Sequence, residues 1–199
     1  MQSGIISLQN IYTFIDLVGD YKRTLPNTSL LGRSFAKLCA EITKNVPTEK
    51  GFYLWGNYNS KKFWTNIYLG KAGFGKTANL RNRILEELKD ERCCFWRTKH
   101  TEEALLLLCE NEYPKYYRET KRSLRKANTT HIAYVPHPEI NEDDGERVES
   151  DLIESLNPIS NKKRPVPPAF LNKDTAKIFH QLREQIHGAR ANGFIIKMK

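Results

Sequence analysis

Two short runs of apolar and aromatic residues stand out in the middle of the chain. Residues 51–56 read Gly-Phe-Tyr-Leu-Trp-Gly and residues 66–70 read Asn-Ile-Tyr-Leu-Gly, with a polar loop between them. Short β-rich runs separated by turn formers are typical of neighbouring strands. We therefore expect a hairpin with a long loop, and each of its strands carries one tyrosine, Tyr53 or Tyr68.

Helical periodicity begins just after this hairpin. Leu80, Ile84 and Leu88 recur at i, i+4 and i+8, which predicts a helix over residues 79–89 with one apolar face. Similar spacing predicts further helices over residues 4–20, 30–44, 98–110 and 172–189, and another that carries Glu149 and buries Val148, Leu152 and Leu156. The alternating run at residues 131–135 predicts a third strand.

These elements predict an α/β (α+β) protein with a small, mainly antiparallel three-stranded sheet flanked by helices. Residues 1–48 form a helical N-terminal extension in this interpretation, residues 49–163 the central domain, and residues 164–199 a linker, a helix and a tail. A chain of 199 residues is long enough for one such domain and its extensions. We expect the N-terminal helices to pack on the central domain or to make a homodimer contact.

The charge of the chain favours a polyanionic partner such as nucleic acid. Lysine and arginine number 32 against 23 aspartates and glutamates, a formal net charge of +9. Four of the cations recur along one face of a predicted helix: Lys115, Arg118, Arg122 and Arg125. Such a stripe can lie along DNA phosphates. A solvated face paired with nearby Glu119 explains the same spacing.

Cysteine usage and hydropathy give no sign of a secreted or membrane protein. The four cysteines include one adjacent pair and no C-x-x-C motif, so neither a disulfide framework nor a zinc site is expected: Cys39, Cys93, Cys94 and Cys109. No apolar run is long enough for a membrane span, and residues 1–20 lack the pattern of a signal peptide. We expect a cytoplasmic protein.

The hairpin carries a family resemblance. Gly-Phe-Tyr at residues 51–53 followed by Tyr-Leu-Gly at residues 68–70 resembles the paired signature of GIY-YIG endonucleases. Residues 68–72 and then residues 79–83 are similar to the nuclease domain of the bacterial excision-repair incision subunit, with residues 73–77 as a short insertion between them. Further downstream, Glu149 on a helix and Asn161 after the helix-ending proline resemble the closing motif of the family. The motifs occur in the family's order across about residues 50–163.

The resemblance implies a metal-dependent DNA endonuclease of the restriction or phage type. It implies that six residues form the active site: Tyr53, Tyr68, Lys71, Arg83, Glu149 and Asn161. Glu149 is then the ligand of Mg²⁺ or Mn²⁺, and one carboxylate with waters and substrate phosphate is normal for magnesium.

The implied roles follow from side-chain chemistry. Arg83 can donate a fork of hydrogen bonds to the scissile phosphate. Tyr68 or Tyr53 would orient or deprotonate the attacking water, but a phenol is a poor base unless a cation such as Lys71 or the metal lowers its pKa. Asn161 would orient phosphate or water through its amide.

One position departs from the family pattern. Many members carry a histidine or tyrosine one helical turn after the arginine, where this chain has Glu87. Three roles are open to Glu87: pairing with Arg83 at i, i+4, joining the metal ligands, or neither. The departure leaves open which group handles the second proton transfer.

Two other functions compete with the nuclease. Residues 70–77 fit G-x-x-x-x-G-K-[ST], the phosphate-binding P-loop, with Lys76 and Thr77 as its functional residues. A P-loop protein needs further parallel strands and crossover helices, which few segments after Lys89 could supply. The other alternative is a catalytically inactive DNA-binding module with the same fold.

Overall fold

A computed structural model describes residues 2–18, 30–89, 129–158, 161 and 172–191. The predicted helix at residues 98–110 and the cationic stripe Lys115, Arg118, Arg122 and Arg125 lie outside the described residues. The strands are β1 (Gly4–Ser7), β2 (Gly51–Tyr58), β3 (Trp64–Ala72) and β4 (His131–Pro136). The helices are α1 (Gln9–Val18), α2 (Leu30–Thr43), α3 (Leu80–Lys89), α4 (Glu142–Leu156) and α5 (Lys173–Ala191). Within this described part, no helix is long and apolar enough to cross a bilayer.

The four strands form one antiparallel sheet in the order β1-β4-β2-β3. The predicted α+β class, with helices flanking an antiparallel sheet, is confirmed. Strand β2 lies between β4 and β3, so the first tyrosine strand is central and the second is an edge strand. Their register places Tyr53 opposite Gly70 and Trp55 opposite Tyr68.

The prediction of three strands missed β1. Residues 4–20 were expected to be one helix, but the first four pair with β4 and the helix begins only at Gln9. Ile5 and Ile6 pack against opposite sides of the sheet, as successive strand residues do. The Ser7 hydroxyl accepts a hydrogen bond from the Gln9 N–H at 3.2 Å, which marks the change from strand to helix.

Both faces of the sheet are covered. Helices α1, α2 and α3 enclose one core with Tyr53 and Trp55, while α4 and α5 enclose a second core with Phe52 and Leu54. The alternation follows from the two-residue period of a strand. Because β2 is buried on both sides, it reads as a continuous apolar run despite its antiparallel pairing.

Helix α4 is fixed at both ends by asparagine. Asn141 accepts the Asp144 N–H at its N-terminus, and Asn157 ends the helix in the left-handed conformation with φ 48°. Acidic residues 142–144 lie in its first turn, where they suit the helix dipole. The predicted buried positions Val148, Leu152 and Leu156 are confirmed, and this orientation brings Glu149 to the rim of the sheet.

Two glycine-to-alanine changes test the packing around the hairpin. A Cβ at Gly56 would lie 1.9 Å from the Trp64 ring, so Gly56→Ala should lower the free energy of unfolding by about 1–3 kcal/mol. A Cβ at Gly188, within α5, meets nothing within 4 Å, so Gly188→Ala should raise that free energy by up to ~1 kcal/mol. Urea unfolding followed by circular dichroism measures both. Equal effects of the two changes would show that Trp64 does not pack on Gly56.

Candidate active site

The site is built around the Glu87 carboxylate. The Tyr53 hydroxyl donates to Glu87 Oε1 at 2.7 Å and the Trp55 indole N–H donates to Oε2 at 3.1 Å. Tyr53 and Trp55 lie two residues apart and so face the same side of β2. Arg83 Nη2 lies 3.4 Å from Glu87 Oε1, one helical turn earlier on α3. One carboxylate therefore ties the central strand to α3 and orients Arg83, which is the first of the three roles left open for it.

The two tyrosines contact each other on this face. Their ring centroids are 6.4 Å apart and the ring planes are tilted by 56°. Gly70, opposite Tyr53, makes room for its ring, because a Cβ there would lie 2.4 Å from the phenol. Glycine is thus favoured at position 70, in the second signature, because any side chain there would displace the buried ring of Tyr53.

Glu149 and Lys71 approach the same edge from the other face of the sheet. Lys71 is three residues after Tyr68 and points towards α4, where its Nζ lies 3.4 Å from Glu149 Oε2 and 3.5 Å from Glu146 Oε1. Since β3 is the edge strand, the two faces meet at its rim. The Glu149 charge is close enough to raise the pKa of Tyr68. The structure therefore brings the implied metal ligand to the same edge as the tyrosines.

Burial keeps both phenols protonated. Desolvation is the largest cause of the raised pKa of Tyr53 and of Tyr68, and the Glu87 charge is the second. The expectation that Lys71 would lower the pKa of a tyrosine finds no support, because its amine is paired with the carboxylates of α4. In this arrangement the tyrosines are hydrogen-bond donors rather than bases.

Asn161 has a structural role in this geometry. Its amide Nδ2 donates to the Leu69 carbonyl at 2.8 Å, and its Oδ1 accepts the Leu69 N–H at 2.8 Å. These backbone groups face away from β2, so Asn161 occupies the position of a missing neighbouring strand. The amide was expected to orient phosphate or water; instead, it holds the backbone next to Tyr68.

The P-loop sequence does not form a phosphate cradle. The N–H groups of Gly73, Phe74 and Thr77 are bonded within the loop, to Ala78 O, Thr77 Oγ1 and Phe74 O, and the Thr77 hydroxyl itself donates to Phe74 O at 2.6 Å. A P-loop needs such N–H groups free for phosphates. The loop also follows an antiparallel edge strand rather than a parallel one.

A single-carboxylate magnesium site fits the residues present. Among the described residues, no three His, Cys, Asp or Glu side chains are grouped around a common point. Glu149 is about a quarter exposed and offers one hard oxygen donor group at the rim. Magnesium keeps most of its waters and is often bound by one or two carboxylates and substrate phosphates. Lys71 competes for the same carboxylate, so we expect weak metal binding before substrate arrives.

Comparison with known proteins adds no relative. No family model, curated protein or solved structure matches the chain.

Sequence reasoning missed two members of this cluster. Trp55 supplies the second hydrogen bond to Glu87. Its position two residues after Tyr53 on a predicted strand indicated that the two side chains would face the same side of the sheet. Gly70 was noted only as a letter of a motif. Arg83 and the four other predicted residues, Tyr53, Tyr68, Lys71 and Glu149, lie together at the β3 edge, whereas Asn161 supports that edge from outside.

Glu87→Ala tests the anchor. It would leave two buried donors without an acceptor and should lower the free energy of unfolding by about 3 kcal/mol, while Glu87→Gln should lower it by about 1 kcal/mol. Glu86, exposed on the same helix, provides the matched control, and Glu86→Ala should leave stability unchanged. Chemical denaturation measures all three. Similar curves for the Glu87→Ala and Glu86→Ala variants would contradict the anchoring role.

Proposed function

We propose that this chain is a metal-dependent DNA endonuclease of the GIY-YIG type that hydrolyses phosphodiester bonds. The observation that carries the proposal is the convergence of Tyr53, Tyr68, Arg83 and Glu149, from four different elements, on one edge of the sheet. A phosphodiester hydrolase needs a cation for the phosphate, a group that holds water and neutralisation of developing charge. At this edge Arg83 is the cation, Tyr68 is the group that holds water, and Glu149 is the residue that would hold a neutralising metal ion.

Arg83 binds the scissile phosphate. Its side chain is 40% exposed, and a guanidinium is charged at any relevant pH. Glu87 holds one side of the fork, which fixes the direction of the remaining N–H groups. A side chain already restrained in this way loses less conformational entropy when it binds.

Tyr68 positions the attacking water by donating a hydrogen bond to it. Tyr68 is only partly buried, so its hydroxyl can reach water, while its ring contacts that of Tyr53. Tyr53 in turn donates to Glu87. In this scheme the water oxygen bonds to phosphorus and releases a proton to the surrounding solvent, the bond to the 3′ oxygen breaks, and that oxygen takes up a proton from solvent, leaving a 5′-phosphate and a 3′-hydroxyl.

Glu149 is the residue that would hold Mg²⁺. When bound, the ion supplies neutralisation of negative charge on the phosphate and makes a coordinated water more acidic. Lys71 keeps the Glu149 carboxylate at the rim by its 3.4 Å ion pair. Lys71 is accordingly a positioning residue in this proposal.

Two further aspects extend the proposal. One site per chain cuts both DNA strands either as a homodimer or by successive nicking. A cytoplasmic location gives access to DNA and to magnesium. No contact or distance among the described residues specifically favours a P-loop protein or an inactive DNA-binding module.

Nicking of supercoiled plasmid tests the site. With Mg²⁺, Glu149→Gln and Arg83→Gln should each lower the single-turnover rate by about 10²–10³, since each removes one group that stabilises the transition state. EDTA should abolish nicking by the unaltered protein. Matched changes on the exposed surface of α4, Asp143→Asn and Arg147→Gln, should leave the rate unchanged. Undiminished nicking in both site variants would refute the assignment.

A further inference from the structure

A concave site lies beside the hairpin loop, on the side of the sheet covered by α5. Its cavity has a volume of about 340 Å³, and the residues that line it include four aromatic side chains and three long cations: Tyr58, Phe63, Trp64, Phe179, Lys62, Arg183 and Arg190. No aspartate or glutamate of the described residues lines it. Cavities of this size accept small ligands or a single unit of a polymer, and the one-sided charge selects an anionic ligand.

The hairpin loop presents Phe63 in a fixed conformation. The Asn59 side chain accepts the N–H groups of Lys61 and Phe63 at 2.9 and 3.0 Å, and the Asn59 N–H donates to the Phe63 carbonyl at 2.9 Å. Lys62 lies in the left-handed region with φ 65°. Phe63 is nevertheless 56% exposed, the most exposed large apolar side chain of the described residues. These hydrogen bonds fix the position of the exposed phenyl ring at the edge of the cavity.

The Trp64 and Tyr58 side chains that line the cavity are also held in place by their neighbours. Trp64 lies against Gly56, meets Tyr58 edge-on with ring centroids 4.9 Å apart, and donates its indole N–H to Asn66 Oδ1 at 2.7 Å. The Tyr58 hydroxyl donates to the Ile186 carbonyl of α5. The rings therefore need little rearrangement to receive a ligand, which favours binding.

Two of the arginine side chains that line the cavity lie over aromatic rings. The Arg190 guanidinium lies 5.2 Å from the centroid of Phe63, and that of Arg183 lies 5.7 Å from that of Phe179. Neither is in an ion pair with a carboxylate of the described residues. Both guanidiniums thus retain hydrogen-bond donors for a phosphate next to a flat apolar surface.

We propose that this cavity binds one nucleotide of a single-stranded DNA segment, with the base against Phe63 and Trp64 and the phosphate against Arg183 and Arg190. Stacking on aromatic rings combined with a cationic groove is how proteins bind single strands without reading sequence. The bases of an intact duplex are stacked on each other and do not offer a free face. The choice of DNA as the nucleic acid rests on the proposed nuclease function.

The cavity and the catalytic edge share two elements. Trp64 and Tyr68 are four residues apart on β3, about 13 Å along a strand. Leu156, which lines the cavity, and Glu149 are seven residues apart on α4, about 10 Å along a helix. A strand gripped at the cavity therefore lies within a short distance of the catalytic residues, which favours cleavage next to unpaired or frayed DNA.

Fluorescence anisotropy of a labelled oligothymidylate of ~12 nucleotides, measured in EDTA with the full chain, tests the proposal. Phe63→Ala should weaken binding about tenfold through lost stacking, and Phe63→Tyr should retain the affinity. Arg190→Gln should weaken binding several-fold and lower the salt dependence by about one counterion. The controls Lys61→Gln, on the same loop, and Lys177→Gln, on α5, remove equal charge outside the cavity and should each have a smaller effect than Arg190→Gln.

Free thymidine monophosphate and the matching duplex separate the alternatives. Weak competition by the monophosphate, lost in the Phe63→Ala variant, would support a nucleotide pocket. Affinities within twofold of the unaltered protein for both Phe63→Ala and Arg190→Gln would overturn the proposal, as would equal weakening of duplex and single strand by Phe63→Ala, or no binding of the oligothymidylate at all.

Failure of the cavity proposal and failure of the nuclease proposal give different results. If plasmid is nicked and Glu149→Gln abolishes nicking while Phe63→Ala binds normally, the cavity proposal alone fails. If Phe63→Ala weakens oligothymidylate binding but no metal supports nicking, the catalytic proposal alone fails.

Discussion

Hydrogen bonds from Tyr53 and Trp55 to the Glu87 carboxylate connect the central strand to the helix that carries Arg83. All of these groups are buried or nearly so, except the outer part of Arg83. A buried carboxylate is tolerated only when it is paired and hydrogen-bonded, and here two donors and one cation satisfy it. This one group orients Arg83, adds to the effect of burial in raising the pKa of both phenols, and joins α3 to the sheet beside the apolar contacts of the helix.

The edge strand β3 is the second constraint. An unpaired edge exposes backbone groups that invite another strand, and Asn161 satisfies those of Leu69 from outside the sheet. Among the described residues, no strand pairs with β3 on its outer side. Tyr68 on one face and Lys71 with Glu149 on the other therefore lie near each other at this edge of the sheet. A central strand could not bring the two faces together in this way. The edge position of β3 is thus what brings side chains from opposite sides of the sheet near each other.

The sequence predicted the helices and the hairpin well because their apolar spacing is long and regular. Leu80, Ile84 and Leu88 are all buried as expected, and Val148, Leu152 and Leu156 are too. Strand β1 was missed because four residues are too few to show a two-residue period beside a helix of similar apolar content. Asn161 was placed near the site, but which atoms its amide would bond could not be read from spacing, since this depends on β3 being an edge strand. The cavity beside Phe63 was out of reach for a similar reason: Arg183 and Arg190 come from α5, more than a hundred residues away along the chain.

The most direct measurement is the fate of oxygen in the proposed cleavage of DNA. A duplex oligonucleotide is cut under single-turnover conditions with Mg²⁺ in ¹⁸O-labelled water, and the new ends are analysed by mass spectrometry. Attack of water at the edge formed by Tyr68, Arg83 and Glu149 predicts one ¹⁸O in the new 5′-phosphate and an unlabelled 3′-hydroxyl. Label on a 3′-phosphate, or no cleavage with any divalent cation, would contradict the account.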